Sequence, residues 1–289
     1  MAPVLAPPDY LPIAEHGVVG DLRTVALVAT DGSVDWLCVP RFDSPSVFGA
    51  ILDREKGGYF RIAPDSDEYQ VKQLYLPDTN VLITRFLTPT GVCEIEDFMP
   101  VSSRAHTEAQ SRVRRVLCVR GSIPLAMVCK PRFDYGRLGH DTSLEDHGAV
   151  FHTSQLSLAL GTDVRLAKTD GGVEGHFTLH AGETSTFVLE VMGDDGVLHH
   201  QTEEATRVLF EQTVKFWRRW LSQSRYTGRW REMVNRSALT LKLLTYRPSG
   251  ALVAAATTSL PEQIGGERNW DYRYTWIRDA AFSLFALLR

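Results

Sequence analysis

The run Asn269-Trp-Asp-Tyr-Arg-Tyr-Thr-Trp-Ile-Arg-Asp-Ala280 sets Trp270, Tyr272, Tyr274 and Trp276 at every second position. Asp271, Arg273, Arg278 and Asp279 lie between and after them. A sugar ring has apolar C–H faces and an equator of hydroxyls. A carbohydrate site therefore needs flat aromatic surfaces beside charged side chains that form strong hydrogen bonds to hydroxyls. This stretch supplies both. Its alternation predicts an extended entry into a helix. The competing reading makes these aromatics core on one side of a strand, and for Tyr274 taken singly that reading is preferred. Arg278 and Asp279 are adjacent opposite charges on an otherwise apolar segment. Consecutive helical residues do not face one another, so each is expected to find its own partner or a cavity, since an unpaired buried charge is very costly. Two readings stay open: an ion-pair network with other helices, or a pocket that grips sugar hydroxyls.

Other groups with chemical potential read more simply. Asp31-Gly-Ser-Val-Asp35 has the look of a calcium loop but lacks the remaining ligands and fits a hairpin. His199-His200 reads as a solvated pair beside a loop rather than metal ligands. Glu94, Glu96 and Asp97 put acids on both faces of a strand, as at an edge or surface. Gly265-Gly266-Glu267 lacks the strand–turn–helix setting of a nucleotide loop. There is no Gly-x-Ser-x-Gly and no His-Glu-x-x-His. Nothing here calls for a metal or a cofactor.

The elements that must hold the aromatic stretch fall into two kinds. Thr24–Ala29 and Val34–Val39 flank Asp31-Gly32 as a hairpin. Ser44-Pro45 predicts a short helix to about Asp53. Then come strand-like runs at 59–63, 69–75, 81–87, 92–99, 112–120, 122–130, 150–153, 156–160, 164–167, 176–179 and 186–192. In the 112–120 run Arg112, Arg114 and Arg120 mark the polar side, against Val113, Leu117 and Val119. Short strands with turn residues between them indicate an antiparallel sandwich. The text changes near Gly193–Gln201. Thr202 caps a helix that runs to about Ser224, with Phe210, Val214, Trp217 and Leu221 on one face. After Gly228 a second helix spans about 229–246, with Trp230, Val234, Ala238 and Leu241 on one face; Pro248 and Gly250 stop it. Gly265-Gly266 is a hinge into the aromatic stretch.

Composition bounds the class. At 289 residues the chain suits two domains or one large one, and with 44% apolar and 23% charged residues it is a globular rather than a disordered sequence. A net charge of -4 gives no electrostatic basis for nucleic-acid binding. No apolar run is long enough to span a bilayer. The Pro-rich start, Met1 to Leu11, has neither the basic residues nor the apolar core of a secretory signal. Cys38, Cys93, Cys118 and Cys129 are scattered without a C-x-x-C pair and read as buried free thiols. A cytoplasmic protein fits.

From Ala280 to Leu288 apolar residues surround the whole helical circumference, and no Gly or Asn stop signal follows. A helix apolar all round is buried on all sides. The expectation is that this segment begins a larger helical domain.

Several motifs together resemble bacterial members of glycoside hydrolase family 15, the glucoamylase and trehalase group. They are Ile13-Ala-Glu-His-Gly-Val-Val-Gly20, Asp31-Gly-Ser-Val-Asp-Trp-Leu-Cys-Val-Pro-Arg-Phe-Asp43, Gly250-Ala-Leu-Val-Ala-Ala-Ala-Thr-Thr-Ser-Leu-Pro-Glu262 and Asn269 to Ala280. One departure is Ala256, where relatives usually have Pro. The resemblance implies an α+β multidomain fold: an N-terminal antiparallel β-sandwich followed by the first helices of an (α/α) barrel, truncated. The expected division is 1–197 sandwich, 198–228 linker helix and 229–289 start of the hydrolase domain. It also implies that Arg278 and Asp279 bind hydroxyls of the non-reducing-end glucose, with Trp276 and Tyr272 lining the same pocket. The family cleaves α-glucosidic bonds with inversion, which requires an acid and a base flanking the bond. The family's two catalytic glutamates lie beyond this motif. None is therefore assigned here, and Glu262 and Glu267, which precede it, are not candidates. The expected substrate is a small saccharide, trehalose or malto-oligosaccharide, and the chain alone is expected to be inactive. A non-catalytic carbohydrate-binding or interaction module is the alternative. A homo-oligomer whose partner chain completes the barrel is a third reading.

Overall fold

The computed structural model describes residues 10–101, 110–193, 196–258, 263 and 265–288. The Pro-rich start up to position 9, Asp194 and Asp195 of the expected boundary, Glu262 and Arg289 lie outside the described residues.

Fifteen strands come first: β1 His16–Gly20, β2 Val25–Ala29, β3 Ser33–Cys38, β4 Ser46–Phe48, β5 Tyr59–Pro64, β6 Gln70–Tyr75, β7 Leu82–Thr88, β8 Gly91–Phe98, β9 Ser111–Lys130, β10 Asp141–Glu145, β11 Gly148–His152, β12 Ser157–Gly161, β13 Ala167–Thr169, β14 Gly172–His180 and β15 Thr184–Val191. All pairings among them are antiparallel, and the strands form two layers that share β9. Its second half pairs with β5 and β14 in one layer. Its first half pairs with β8 and β15 in the other. The turn at Gly121, with φ 76°, lets one strand serve both. A Cβ there would stand 2.0 Å from the Thr90 carbonyl, so only glycine fits. Between the layers lies one apolar core in which Phe60 meets Phe187 edge-on at 6.2 Å.

Here the structure corrects several expectations. The predicted strands 112–120 and 122–130 are one bent strand. The helix expected from Ser44 is instead β4, because Ser46 and Phe48 are buried and pair with β3. The strand expected at 164–167 begins at Ala167. The arginines of β9 do not mark a polar side: Arg112 and Arg114 are buried, while Val119 is half exposed. Arg114 crosses the core, donating to Asp97 at 2.7 Å and to the Phe60 and Gly32 carbonyls at 2.7 Å each. Asp97 is therefore not a surface acid. Glu94 and Glu96 likewise pair with Arg85 and Arg115, because β8 is flanked by β7 and β9 rather than being an edge.

Three helices follow: α1 Glu203–Leu221, α2 Arg231–Leu243 and α3 Ile277–Leu288. The Thr202 hydroxyl accepts from the Ala205 amide and caps α1, as its sequence predicts. Trp217 and Leu221 of the expected face are buried, and Phe210 and Val214 are half-buried against the second layer. The face of α2 is turned from expectation. Asn235, Leu239 and Leu243 are buried, whereas Trp230 is 54% exposed. The reason is polar: Asn235 donates to Asp78, and Arg236 to the Thr79 carbonyl, in the β6–β7 connection. Leu239 and Leu243 then join Trp217, Leu221, Leu22, Val25 and Phe42 in a second core. Among the described residues no helix is long and apolar enough to cross a membrane.

Candidate functional site

The aromatic stretch is held from two sides. From one side, the chain after α2 forms β16 Thr245–Tyr246 and β17 Ala251–Leu252, then runs beside the stretch. Ala254 and Ala255 amides donate to the Tyr274 and Tyr272 carbonyls at 3.0 and 2.8 Å, and Thr258 bridges Asp271. Trp36, fully buried in β3, donates its Nε1 to the Ala256 carbonyl at 3.0 Å and fixes that run to the first sheet.

From the other side comes Arg273. Its Nη1 donates to the Ser44 carbonyl at 2.7 Å and the Phe42 carbonyl at 3.2 Å, and approaches the Cys38 sulfur at 3.3 Å. Its Nε and Nη2 donate to Asp271 at 3.0 and 2.8 Å. Partial burial would raise the Asp271 carboxyl, but the Arg273 side chain and amide more than offset this and hold it below the usual carboxylate value. Burial works against the Arg273 charge, but the bond to Asp271 and the neighbouring Cys38, Tyr135 and Asp271 groups together outweigh it, so the guanidinium is held charged more firmly than usual.

These anchors make the stretch a turn rather than the extended entry its alternation predicts. The Asp271 carboxylate accepts from the Arg273 amide at 3.0 Å and closes it. The turn brings Tyr272 and Trp276 face to face, with ring centroids 5.1 Å apart and planes 18° off parallel. The Arg278 guanidinium sits 5.7 Å from the Trp276 ring centre. Arg278 and Asp279 pair with one another at 3.1 Å, against the expectation that neighbours on a helix would not. Both sit in the first turn of α3, where solvent lets the Arg278 side chain, 67% exposed, curl back; the helix N-terminus favours the Asp279 charge. Asp279 Oδ2 is shielded, and apart from that ion contact it has no hydrogen-bond partner among the described residues. All four residues predicted for the site are thus brought to one place. Tyr274, expected in the core, is 51% exposed instead, as is Trp270. The apolar circumference of α3 is likewise not buried: Ile277, Phe282, Leu284 and Leu288 are all more than half exposed.

Beside the turn lies a cleft of about 200 Å³ lined by Arg41, Asp43, Tyr246, Val253, Tyr274 and Thr275. Composition and spacing gave no separate reason to place Arg41 and Asp43 near the aromatic stretch. They were visible only as part of the Pro-Arg-Phe-Asp motif. Nor did sequence reasoning assign Arg273 its anchoring part. The only signal was a charge set among alternating aromatics.

The chain resembles known proteins over most of its length. Residues 5–217 match the family model described as "Trehalase-like, N-terminal", and residues 228–289 match "Glycosyl hydrolases family 15". A trehalase of Thermoplasma volcanium is 39% identical over 283 residues, covering 96% of this chain and 45% of that protein. A trehalase of Mycobacterium tuberculosis is 39% identical over 310 residues, covering 96% and 44%. Trehalase 1 of Sulfolobus acidocaldarius is 37% identical over 274 residues, covering 94% and 45%. The chain thus spans about half the length of the curated relatives it matches. Among solved structures, a putative kojibiose phosphorylase from human microbiome has a TM-score of 0.47 at 12% identity, covering 84% of this chain and 35% of that one. With a trehalase-like amino-terminal match over most of its length and a hydrolase match over the remainder, this chain belongs to the trehalase-like proteins of glycosyl hydrolase family 15.

Proposed function

We propose that this chain serves the hydrolysis of an α-glucosidic bond, in trehalose or at the non-reducing end of a malto-oligosaccharide. Its part is to hold a terminal glucose. The observation that carries this reading is the stacked Tyr272–Trp276 pair beside the Arg278–Asp279 pair. The aromatic faces suit the C–H face of a pyranose. Arg278 donates in a fixed fork, and the Asp279 carboxylate beside it brings acceptor capacity for a hydroxyl.

Inversion needs a carboxylic acid to protonate the leaving oxygen and a carboxylate to activate water, about 6.5–9.5 Å apart. We assign neither to this chain. In the proposed division, 1–197 is a sandwich, 198–228 a linker helix and 229–289 the start of a helical hydrolase domain. The acid and base come from further helical polypeptide, which also covers the apolar residues of α3. A second copy of this chain is the other candidate for that cover, since Ile277, Phe282 and Leu288 are each more than 70% exposed.

The test is direct. Pure 289-residue chain is assayed for glucose release from trehalose and maltose and titrated with glucose by tryptophan fluorescence. Expected are no turnover and a quench that is lost in Trp276→Ala and Arg278→Ala. Turnover by the chain alone sinks the division of labour. A quench unchanged in both variants sinks the assignment of the site.

A further inference from the structure

Outside the aromatic stretch, three side chains that are distant in sequence converge. His147 lies in the β10–β11 turn, Asp163 just after β12 and His200 in the segment leading into α1. The Asp163 Oδ1 is 3.1 Å from His147 Nδ1 and 2.9 Å from His200 Nε2. One potential ligand atom from each of the three residues lies within 4.8 Å of the others. The two imidazoles stack, with centroids 4.3 Å apart and planes 29° from parallel.

The backbone holds these positions. The β11–β12 register sets Gly148 opposite Gly161, and the Thr162 amide donates to the His147 carbonyl at 3.0 Å. The turn bearing His147 and the loop bearing Asp163 are therefore neighbours by sheet geometry. His200 is brought to them by the chain passing close over β12: a Cβ on Gly161 would stand 3.7 Å from the His199 carbonyl.

We propose that His147, Asp163 and His200 form a surface binding site for a divalent transition-metal ion of the zinc class. An ion about 2.1 Å from each donor, at tetrahedral or octahedral angles, puts donor atoms roughly 3.0–3.4 Å apart. The two nitrogen-to-oxygen distances match that spacing or fall just below it. Two imidazoles and one carboxylate suit zinc, cobalt or nickel rather than magnesium or calcium, which prefer all-oxygen shells. With Asp163 73% and His147 53% exposed, an ion can enter from solvent and complete its shell with water. The site would cross-link the two-layer body to the segment entering α1. Its role is to brace that segment, not to take part in glycoside hydrolysis.

The experiment uses the full chain stripped with chelator and titrated with ZnCl2 by calorimetry. Cobalt(II) absorption is the second readout, and circular dichroism checks that each variant is folded. Expected is one equivalent of zinc, a higher melting temperature with zinc, and visible cobalt bands showing nitrogen ligation. His147→Ala, Asp163→Ala and His200→Ala should each weaken zinc at least tenfold and remove the thermal shift. His176→Ala, at an exposed histidine bonded to Asp65 elsewhere, should change neither. Because binding requires neutral imidazoles, affinity should fall as pH is lowered. Absence of zinc binding, zinc binding unaltered by the three variants, or magnesium binding as tight as zinc would each overturn the proposal.

Discussion

Arg273 reaches across 229 positions of sequence to Ser44, its Nη1 donating to the Ser44 carbonyl at 2.7 Å. Through this contact the first sheet fixes the turn on which Tyr272 and Trp276 stack. The candidate site is thus assembled jointly by the two regions that the family models match separately. Replacing Arg273 by Met would leave the Ser44 and Phe42 carbonyls without this donor and Asp271 with only the amide of residue 273. We expect a loss of about 3 kcal/mol in urea unfolding. The near-ultraviolet signal of the stacked pair should also weaken. Arg273→Lys should rescue only in part, because an ammonium cannot reproduce the fork.

The same pair predicts an acid response. Asp271 is held below the usual carboxylate pKa, so the stability it contributes is fully present above that usual value, about 3.9. It is lost as pH falls through the lowered folded value. Asp271→Asn should therefore flatten the stability–pH curve below about pH 4 and leave its shape near neutrality unchanged. Equal curves for variant and parent would show that the Arg273 contact does not perturb Asp271.

At the proposed sugar site, Trp276→Ala and Arg278→Ala should each weaken glucose binding by at least tenfold. Trp276→Tyr should retain more than half of the binding energy, since the stacking face survives. Fluorescence titration of the chain and, where a helical partner supplies turnover, the KM for trehalose would check this. The exposed site predicts little effect of Arg278→Ala on unfolding, because surface pairs contribute about 0–1 kcal/mol.

The four cysteines are free and buried. Burial pushes the Cys38 and Cys93 thiols up to about 12 and raises Cys118 and Cys129 as well. Since the thiolate is the reacting form, a disulfide reagent at pH 8 should find almost no fast thiol in the native chain and four after denaturation. A fast-reacting native thiol would contradict the core arrangement around β3, β8 and β9.

Arg114 and Asp97 form a buried pair, 2% and 3% exposed at their side chains. Removing either partner leaves an uncompensated buried charge, and removing Arg114 also takes a donor from the Phe60 and Gly32 carbonyls. Asp97→Ala or Arg114→Ala should therefore cost about 3–5 kcal/mol. The double replacement should cost less than the sum of the two, as measured by a denaturation cycle.

Much of this architecture is legible in the sequence. The Asp31-Gly32 hairpin, the Thr202 cap, the strand-rich body and the later helices follow from local rules of turn geometry, capping and periodicity. The aromatic and charged residues of the site were legible as types, and the motifs around them as a family resemblance. Long-range partners were not. Ser44 read as a helix cap because Ser-Pro is a good local start, but pairing with β3 outweighed it. Arg112 and Arg114 read as a polar side because arginine usually seeks water, whereas here Asp97 and two carbonyls across the core satisfy Arg114. The buried face of α2 followed Asn235 and its contact to Asp78 rather than the apolar period.

Residue type and spacing alone determined that the Asn269–Ala280 stretch could stack on and grip a sugar, because those capacities belong to side chains wherever they sit. Only the tertiary structure decided how they act together. Arg273 pins the turn to Ser44, Trp36 pins the neighbouring run to the first sheet, and the resulting bend lays Tyr272 on Trp276 beside Arg278 and Asp279. His147, Asp163 and His200 show the same division: His200 reads in the sequence as one of a solvated pair, and the β11–β12 register and the segment passing over Gly161 bring it beside His147 and Asp163. Contacts between residues tens or hundreds of positions apart depend on which surfaces the whole chain can bury at once, and no local pattern carries that information.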